Sequence, residues 1–254
     1  MKEKILTALE SLEKERGIKI LLAIESGSRA WGFPSPDSDY DVRIIYAHST
    51  DWYLSLNEKS DTINLGVNEL LDIAGWELRK FLRLSSKSNM SPFEWTQSPI
   101  VYRVESDFQE ELNGVLGPLF SPIAGMNHYL SMAKNFHFKC AEENNLKLKT
   151  WFYGLRTSMN ALWILERKSV PPIIFIDSLE LIADRPALVT KIKGLITRKA
   201  TMDEKELFEG DDELLDLMSE IIERCKVEGT NLPGAKKDMA IVDKFFRKII
   251  KNDS

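Results

Sequence analysis

Residues 25–43 read ESGSRAWGFPSPDSDYDVR, with an apolar run on each side. This pattern predicts a strand, a glycine-serine loop and a second strand that begins with acidic residues. Because side chains alternate along a strand, Asp39, Asp41 and Arg43 are predicted to share one face. The residues between them point to the opposite face, which is apolar and can join a core. The stretch therefore predicts a charged site supported by a buried sheet.

Two carboxylates at this spacing suit a divalent cation. Asp39 and Asp41 are two residues apart, which is roughly 6–7 Å along a strand. Both can reach one ion, or bridge two ions about 3.5–4 Å apart, as two-metal phosphoryl chemistry requires. Mg²⁺ prefers one or two carboxylates together with phosphate oxygens and water. Phosphoryl or nucleotidyl transfer is the chemistry that this pair predicts.

The loop before the acids is suited to phosphate groups. Gly27 permits a tight turn and close backbone approach, and Ser28 adds a hydroxyl donor. A helix opening at Ser28 would direct its free N–H groups at the phosphates. Arg29, the next residue, is a candidate phosphate contact. We predict that this loop faces the phosphates of a nucleotide.

Residues 27–43 resemble the signature of the DNA polymerase β-type nucleotidyltransferase superfamily, in which Gly-Ser precedes Asp-x-Asp by about ten residues. A narrower similarity, to the YcgL-like, RNA-ligase-associated predicted nucleotidyltransferases, rests on further segments. These segments are ESGSRAWGF (25–33), DYDVR (39–43), DWY (51–53), GWELRK (75–80), EW (94–95), SPIVY (98–102), HYL (128–130) and LKTWFYGLR (148–156). The resemblance implies transfer of an NMP from an NTP, with Mg²⁺ or Mn²⁺, and release of pyrophosphate.

The superfamily also uses a third carboxylate, on a strand beside the Asp-x-Asp strand. The resemblance points to Asp72, in a short apolar run, as metal ligand and general base for the attacking hydroxyl. Asp61, Glu69 and Glu77 are the alternatives. Glu69 is expected to point to the other face from Asp72, and Glu77 is expected on the surface of the following helix.

Several cations and one tyrosine are further candidates for nucleotide contacts. Arg43 is predicted either to bind phosphate or to pair with a carboxylate, and Lys80 to neutralise phosphate unless it is a solvated helix cation. Lys149, Tyr153 and Arg156 share one helical face. They are predicted to contact the nucleotide, or else to form a solvated basic face over a core helix.

The order of elements predicts an α+β fold. A polymerase β-like nucleotidyltransferase domain, with a small mixed sheet flanked by helices, is expected over residues 1–120, and an all-helical nucleotide- or acceptor-binding domain over 121–254. The boundary is placed at residues 118–122, which contain two prolines. Strands are predicted at 18–26, 39–47, 67–73 and 100–104. Helices are predicted at 1–16, 75–84, 108–116, 123–142, 146–168, 177–184, 186–198, 203–208, 211–228 and 235–252.

Composition narrows the functional class further. With 34 basic and 39 acidic residues, the net charge of −5 argues against a general polyanion-binding surface, although a local basic patch remains compatible. Cys140 and Cys225 lack metal-ligand spacing, which favours a reducing compartment. No apolar run reaches the ~18 residues of a membrane span, and the charged N-terminal helix pattern is unlike a signal peptide. A cytoplasmic enzyme is expected.

The acceptor is the open question at this level, because fold and motif alone do not name a substrate. An RNA 3′ end is the first candidate, from the association with RNA repair that the resemblance implies. The alternatives are AMP transfer to a protein or small-molecule hydroxyl, and a nucleotide-binding sensor that does not turn over.

Overall fold

A computed structural model describes residues 1–68, 70–143 and 145–251 and divides the chain into two compact units. The first unit comprises Met1–Gly27, Asp39–Leu119 and Lys236–Ser254; the second comprises Ser28–Ser38 and Phe120–Ala235. The units differ from the predicted domains, 1–120 and 121–254, in two places. The loop after Gly27 belongs with the second unit, and the last helix belongs with the first.

The first unit is a mixed sheet with helices. Its elements are α1 (Lys2–Arg16), β1 (Ile18–Glu25), β2 (Tyr40–His48), α3 (Thr50–Tyr53), β3 (Thr62–Asn68), β4 (Leu71–Glu77), α4 (Leu78–Ser86), α5 (Met90–Trp95), β5 (Val101–Val104), α6 (Phe108–Leu116) and α11 (Met239–Lys251). A short helix, α2 (Gly27–Trp31), begins in the first unit and continues into the second. The α+β fold class is therefore as predicted.

The strands form a five-stranded sheet in the order β3-β4-β2-β1-β5. Strands β2 and β4 are parallel, and the other neighbouring pairs are antiparallel. One face of β2 and β4 packs with α1 in a core that includes Leu9, Val42, Ile44 and Ile73. These apolar residues anchor the two strands whose opposite face carries the predicted acids.

The second unit is predominantly helical. It contains α7 (Pro122–Glu142), β6 (Leu146–Lys147), α8 (Leu148–Arg167), α9 (Pro186–Lys199), β7 (Leu207–Phe208), α10 (Asp212–Glu228) and 3₁₀ helices at Phe175–Ile182 and Gly229–Asn231. The prediction of a helix at 203–208 is wrong, because Leu207 and Phe208 pair with Leu146 and Lys147 in a two-stranded sheet. Among the described residues, no helix combines the length and apolar character needed to cross a membrane.

The region after β2 corrects the predicted elements. One strand was expected over 67–73 and a helix from Gly75, but the structure has the hairpin β3–β4, and the helix begins at Leu78. Gly75 lies so close to Ile44 of β2 that a Cβ atom would come within 2.2 Å of its side chain. Close pairing with β2 thus overrides the helical periodicity of this segment.

Glu77 is also placed differently from the prediction of a surface helix residue. It is 2% exposed and caps α4, accepting hydrogen bonds from the backbone N–H groups of Arg79 (2.8 Å) and Lys80 (3.2 Å). The Tyr53 hydroxyl donates to it at 2.6 Å. Burial, followed by the Glu77 charge, raises the pKa of Tyr53, so the phenol remains a donor at neutral pH.

We expect Glu77→Ala to lower the free energy of unfolding by about 2–4 kcal/mol, because it removes a helix cap and leaves a half-buried hydroxyl without its acceptor. Chemical denaturation monitored by circular dichroism measures the change. Glu15→Ala, at an exposed position of α1, is the control and should change stability by less than about 0.5 kcal/mol. Equal effects of the two substitutions would contradict a structural role for Glu77.

Candidate active site

Two of the predicted acids meet on neighbouring strands. Asp41 on β2 lies in register with Asp72 on β4, and the two strands are parallel. In-register residues of adjacent strands point to the same face of a sheet, with the strands about 4.8 Å apart. The carboxylates of Asp41 and Asp72 are therefore side by side, near the start of both strands. They are 34% and 49% exposed, so solvent and ligands can reach them.

One guanidinium bridges the two acids. Arg43 Nη2 donates to Asp41 Oδ1 at 2.9 Å, and Arg43 Nη1 donates to Asp72 Oδ2 at 2.8 Å. The contact between Arg43 and Asp41 confirms that they share a face of β2. Arg43 was predicted either to bind phosphate or to pair with a carboxylate, and in the structure it pairs with two carboxylates. This single cation offsets part of the repulsion between two neighbouring negative charges.

Gly27 closes the site on the other side of Asp41. Its φ angle is +63°, in the left-handed region that favours glycine. A Cβ atom on Gly27 would lie 2.1 Å from Asp41 Oδ2 and 3.0 Å from Cγ. The backbone of the glycine-serine loop thus touches the carboxylate directly. Only glycine permits this approach without displacing Asp41.

A buried glutamate, which the sequence analysis did not single out, holds the start of β2. Glu25 is fully buried at the end of β1, and its Oε1 accepts the N–H of Asp41 at 2.8 Å. Its Oε2 accepts a hydrogen bond from the Tyr102 hydroxyl, and its carbonyl accepts one from the Ser98 hydroxyl at 2.6 Å. The sequence signal for Glu25 is a lone acid directly after the apolar run of β1. A carboxylate that is buried at such a position requires hydrogen-bond donors.

Asp39, the remaining predicted acid, lies outside the Asp41–Asp72 pair. Asp39 is exposed and precedes β2, which begins at Tyr40. Within the described ranges, no group of three His, Cys, Asp or Glu side chains is placed to hold a metal ion. Asp39, Asp41 and Asp72 are therefore not gathered into one three-ligand cluster here. Of the alternatives to Asp72, Glu69 lies outside the described residues, and Asp61 and Glu77 lie at the other end of the hairpin.

The donor chemistry of the Asp41–Asp72 pair fits Mg²⁺. This ion is commonly held by one or two carboxylates, with water and substrate phosphates completing its shell. The pair offers oxygen donors from two adjacent strands at a solvent-accessible position. Arg43 holds one oxygen of each carboxylate. In the ion pairs that the structure describes, the other oxygen of each carboxylate has no cation partner.

Lys80 is not brought to the acid pair. Its ammonium donates to Asp61 Oδ1 at 2.7 Å and to Thr62 Oγ1 at 2.6 Å. The hydrogen bond from Lys80 is the largest influence on Asp61 and holds the pKa of that carboxyl below its usual value. Asp61 also accepts the backbone N–H of Glu77, five residues beyond Asp72 on β4. By the rise of a strand this is about 17 Å from Asp72.

In the second unit, Ser28 and Arg29 are joined to the end of their own loop. Ser28 Oγ donates to Ser38 Oγ at 3.2 Å, and Arg29 Nη2 donates to the Ser38 carbonyl at 2.7 Å. The Ser35 N–H also donates to Ser38 Oγ, and the buried Lys199 donates to Ser35 Oγ at 2.8 Å. These bonds close the loop that follows Gly27.

The three candidates on α8 share aromatic neighbours in the second unit. Lys149 forms an ion pair with Glu204 at 2.8 Å, and its ammonium lies 5.8 Å from the Tyr153 ring centre. Tyr153 meets the ring of Trp31 edge-on at 5.4 Å. Arg156 is buried, with its guanidinium 3.9 Å from the Trp31 ring centre. Only part of this face is solvated, and its contact with a nucleotide stays a prediction.

Three comparisons relate the chain to known proteins. A family model described as the RNA repair pathway DNA polymerase beta family matches residues 1–248. The protein YcgL of Bacillus subtilis (strain 168), described as uncharacterized, is 38% identical over 239 residues, which cover 94% of this chain and 92% of that protein. A crystal structure of a nucleotidyltransferase-like protein from Exiguobacterium sibiricum 255-15 is 10% identical and covers 88% of this chain and 76% of its own. Its TM-score is 0.32, at which the likeness carries no weight for the site.

Proposed function

We propose, from the premise that this chain belongs to the RNA repair pathway DNA polymerase beta family, that it transfers an NMP from an NTP to an acceptor hydroxyl. The family implies nucleotidyl transfer in RNA repair; the metal, the acceptor and the residues are the proposal. One observation carries the assignment of residues. Asp41 and Asp72 lie side by side on parallel strands, with the Gly27 backbone against Asp41.

The roles of the residues follow from these positions. Asp41 and Asp72 would hold Mg²⁺ or Mn²⁺, and Asp39, one residue before β2, would add a ligand when the nucleotide binds. The bound metal would supply charge stabilisation and orientation for the triphosphate. Gly27 and Ser28 receive the β- and γ-phosphates. Arg43 would be released from the carboxylates as the nucleotide arrives and would then contact phosphate.

The transfer is a single displacement at the α-phosphorus. The acceptor oxygen forms a bond to the α-phosphorus while the bond to the bridging oxygen of pyrophosphate breaks. Asp72 takes the proton of the acceptor hydroxyl, which requires that it be ionised and within hydrogen-bond reach.

The first acceptor we propose is an RNA 3′ end, in line with the RNA repair pathway of the family. We place the reaction in a reducing compartment such as the cytoplasm, because Cys140 and Cys225 are buried free thiols.

The test is transfer of label from each of the four NTPs, labelled at the α-phosphate, with Mg²⁺ or Mn²⁺. An RNA pool and a cell-protein extract serve as separate acceptors, and Asp39→Ala/Asp41→Ala is the inactive control. We expect label in RNA with release of pyrophosphate, both lost in the double variant. Label in protein instead would assign AMP transfer to a protein hydroxyl.

A second candidate function has its own supporting observation. Arg43 already pairs with both Asp41 and Asp72 and offsets part of their charge, and the described residues gather no three-ligand metal cluster. A nucleotide-binding sensor without turnover would be compatible with that arrangement. Nucleotide binding that is indifferent to Asp72→Asn, with no pyrophosphate released for any acceptor, would favour the sensor.

A further inference from the structure

A cavity of about 290 Å³ lies in the first unit at the end of β4 remote from Asp72. None of the three acids proposed for catalysis lines it. Its walls combine aromatic and cationic side chains: Trp52, Tyr53, Lys59, Arg79, Lys80 and Arg83.

Three of these four cations have no acid partner within the described part of the chain. Lys80 is held by Asp61 and Thr62. In contrast, Lys59, Arg79 and Arg83 form no ion pair with any residue that the structure describes. Three such cations around one cavity are unexpected in a chain whose net charge is −5. Like charges at close range repel unless an anion compensates them.

The acids of the cavity compensate these cations only in part. Asp61 is paired with Lys80, and Glu77 is buried beneath three hydrogen-bond donors. Glu58 lies on the exposed rim, so the lining carries four cations and three acids. Nearby His48 adds no charge at neutral pH, because burial and then Lys59 lower its pKa to about 4. The lining therefore has a formal net charge of +1, and its exposed cations, Lys59 and Arg83, can contact an anionic ligand.

Aromatic rings hold two of the cations in place. Lys59 Nζ lies 5.6 Å from the Trp52 ring centre, and the Arg79 guanidinium lies 4.9 Å from that of Tyr53. The Trp52 ring is also stacked on His48, at 4.1 Å between ring centres and nearly parallel. Cations ordered on aromatic faces within one groove are the combination that binds single-stranded nucleic acid, through phosphate contacts and base stacking.

The edge strand of the sheet connects this cavity to the acid pair. Thr62, which contacts Lys80, is the first residue of β3, and Gly66 of the same strand lies in register with Asp72. The intervening path is about 13 Å by the rise of a strand. An extended polyanion could occupy the cavity and also reach the acid pair, whereas a single nucleotide in a 290 Å³ cavity would not extend along the strand.

We propose that this cavity binds the backbone of single-stranded RNA, a few nucleotides from the end presented to Asp41 and Asp72. The inference rests on the proposed function, because it takes RNA as the acceptor. It adds a location for the acceptor strand that is separate from the nucleotide site. Phosphates contact Lys59, Arg79 and Arg83, and a base packs near Trp52.

The test is fluorescence anisotropy with a labelled 12-nucleotide oligouridylate, in EDTA and without NTP. Lys59→Glu/Arg83→Glu reverses two exposed cations of the cavity. Lys236→Glu/Lys237→Glu changes the net charge equally at exposed positions outside the cavity. We expect the first variant to bind RNA at least about tenfold more weakly, with the slope of log K against log salt reduced by about 1.4 for two lost phosphate contacts. The control variant should bind nearly as well as the unmodified protein, and thermal unfolding confirms that both variants fold.

Three outcomes would overturn the inference: no RNA binding by the unmodified protein, equal loss in the two variants, or displacement of RNA by AMP or inorganic phosphate at matched phosphate concentration. Because NTP and metal are absent, the result is independent of catalysis. RNA binding that depends on the cavity, without NMP transfer in the labelled assay, would retain the cavity and reject the proposed function. Transfer to RNA, with the cavity variant fully active and binding RNA as well as the unmodified protein does, would support the proposed function and reject RNA binding at the cavity.

Discussion

Asp41→Asn and Asp72→Asn are each expected to reduce NMP transfer by roughly 10³-fold, since a bound metal contributes several kcal/mol and each 1.36 kcal/mol is tenfold in rate. Asparagine keeps the shape of the side chain but removes the charge that holds a cation. Steady-state pyrophosphate release at saturating NTP measures the loss. Because both acids are a third to a half exposed, the change in unfolding free energy should remain within about 1 kcal/mol.

Asp216→Asn is the matched control, at an exposed position of α10. It should leave both the rate and the stability unchanged. The comparison between Asp41→Asn and Asp72→Asn also tests the division of roles. If Asp72 is the general base as well as a ligand, its variant should lose more of the NMP-transfer rate than the Asp41 variant does. An active Asp41→Asn enzyme would exclude the proposed site.

Gly27→Ala is expected to lower NMP transfer by about 10²-fold and the unfolding free energy by about 2–4 kcal/mol, from left-handed backbone strain together with steric overlap. The new methyl group would lie 2.1 Å from Asp41 Oδ2, so either the loop or the carboxylate must move. Movement of Asp41 would also break its bond to Arg43. Activity and denaturation are measured on the same preparation.

Gly17→Ala separates strain from overlap. Gly17 ends α1 with φ +57°, close to the value at Gly27, but nothing lies within 4 Å of its Cβ position. This control should lose about 1–2 kcal/mol of stability from strain alone and should retain full activity. Equal losses of activity in the two variants would show that the contact between Gly27 and Asp41 is unimportant.

Local patterns carried much of the correct prediction. The apolar runs on both sides of the glycine-serine loop predicted β1 and β2, and alternation along β2 placed Asp41 and Arg43 on one face. The resemblance to polymerase β-type nucleotidyltransferases is confirmed by the family match over residues 1–248. These features depend on residues close together in the chain, where periodicity is a direct record of the buried face.

The wrong predictions arose where a distant partner decides the conformation. Residues 75–77 have helical periodicity, but Gly75 pairs with Ile44 of β2 and remains in a strand. Leu207 and Phe208 likewise form a strand because Leu146 and Lys147 lie beside them. Neither pairing leaves a signal in the local sequence, since propensity is weak compared with tertiary contacts.

The candidate site also combines features set by neighbouring residues in the sequence with features set by distant ones. The sequence by itself determined the acid spacing, the glycine before it and the faces of β2, because a strand allows only two side-chain directions. Only the tertiary structure decided that Asp72 lies in register with Asp41, that Arg43 bridges them, and that Glu25 holds the backbone of Asp41. Register between strands is set by the packing of their apolar faces against a common core, and residues 29 positions apart acquire neighbours only when that core forms.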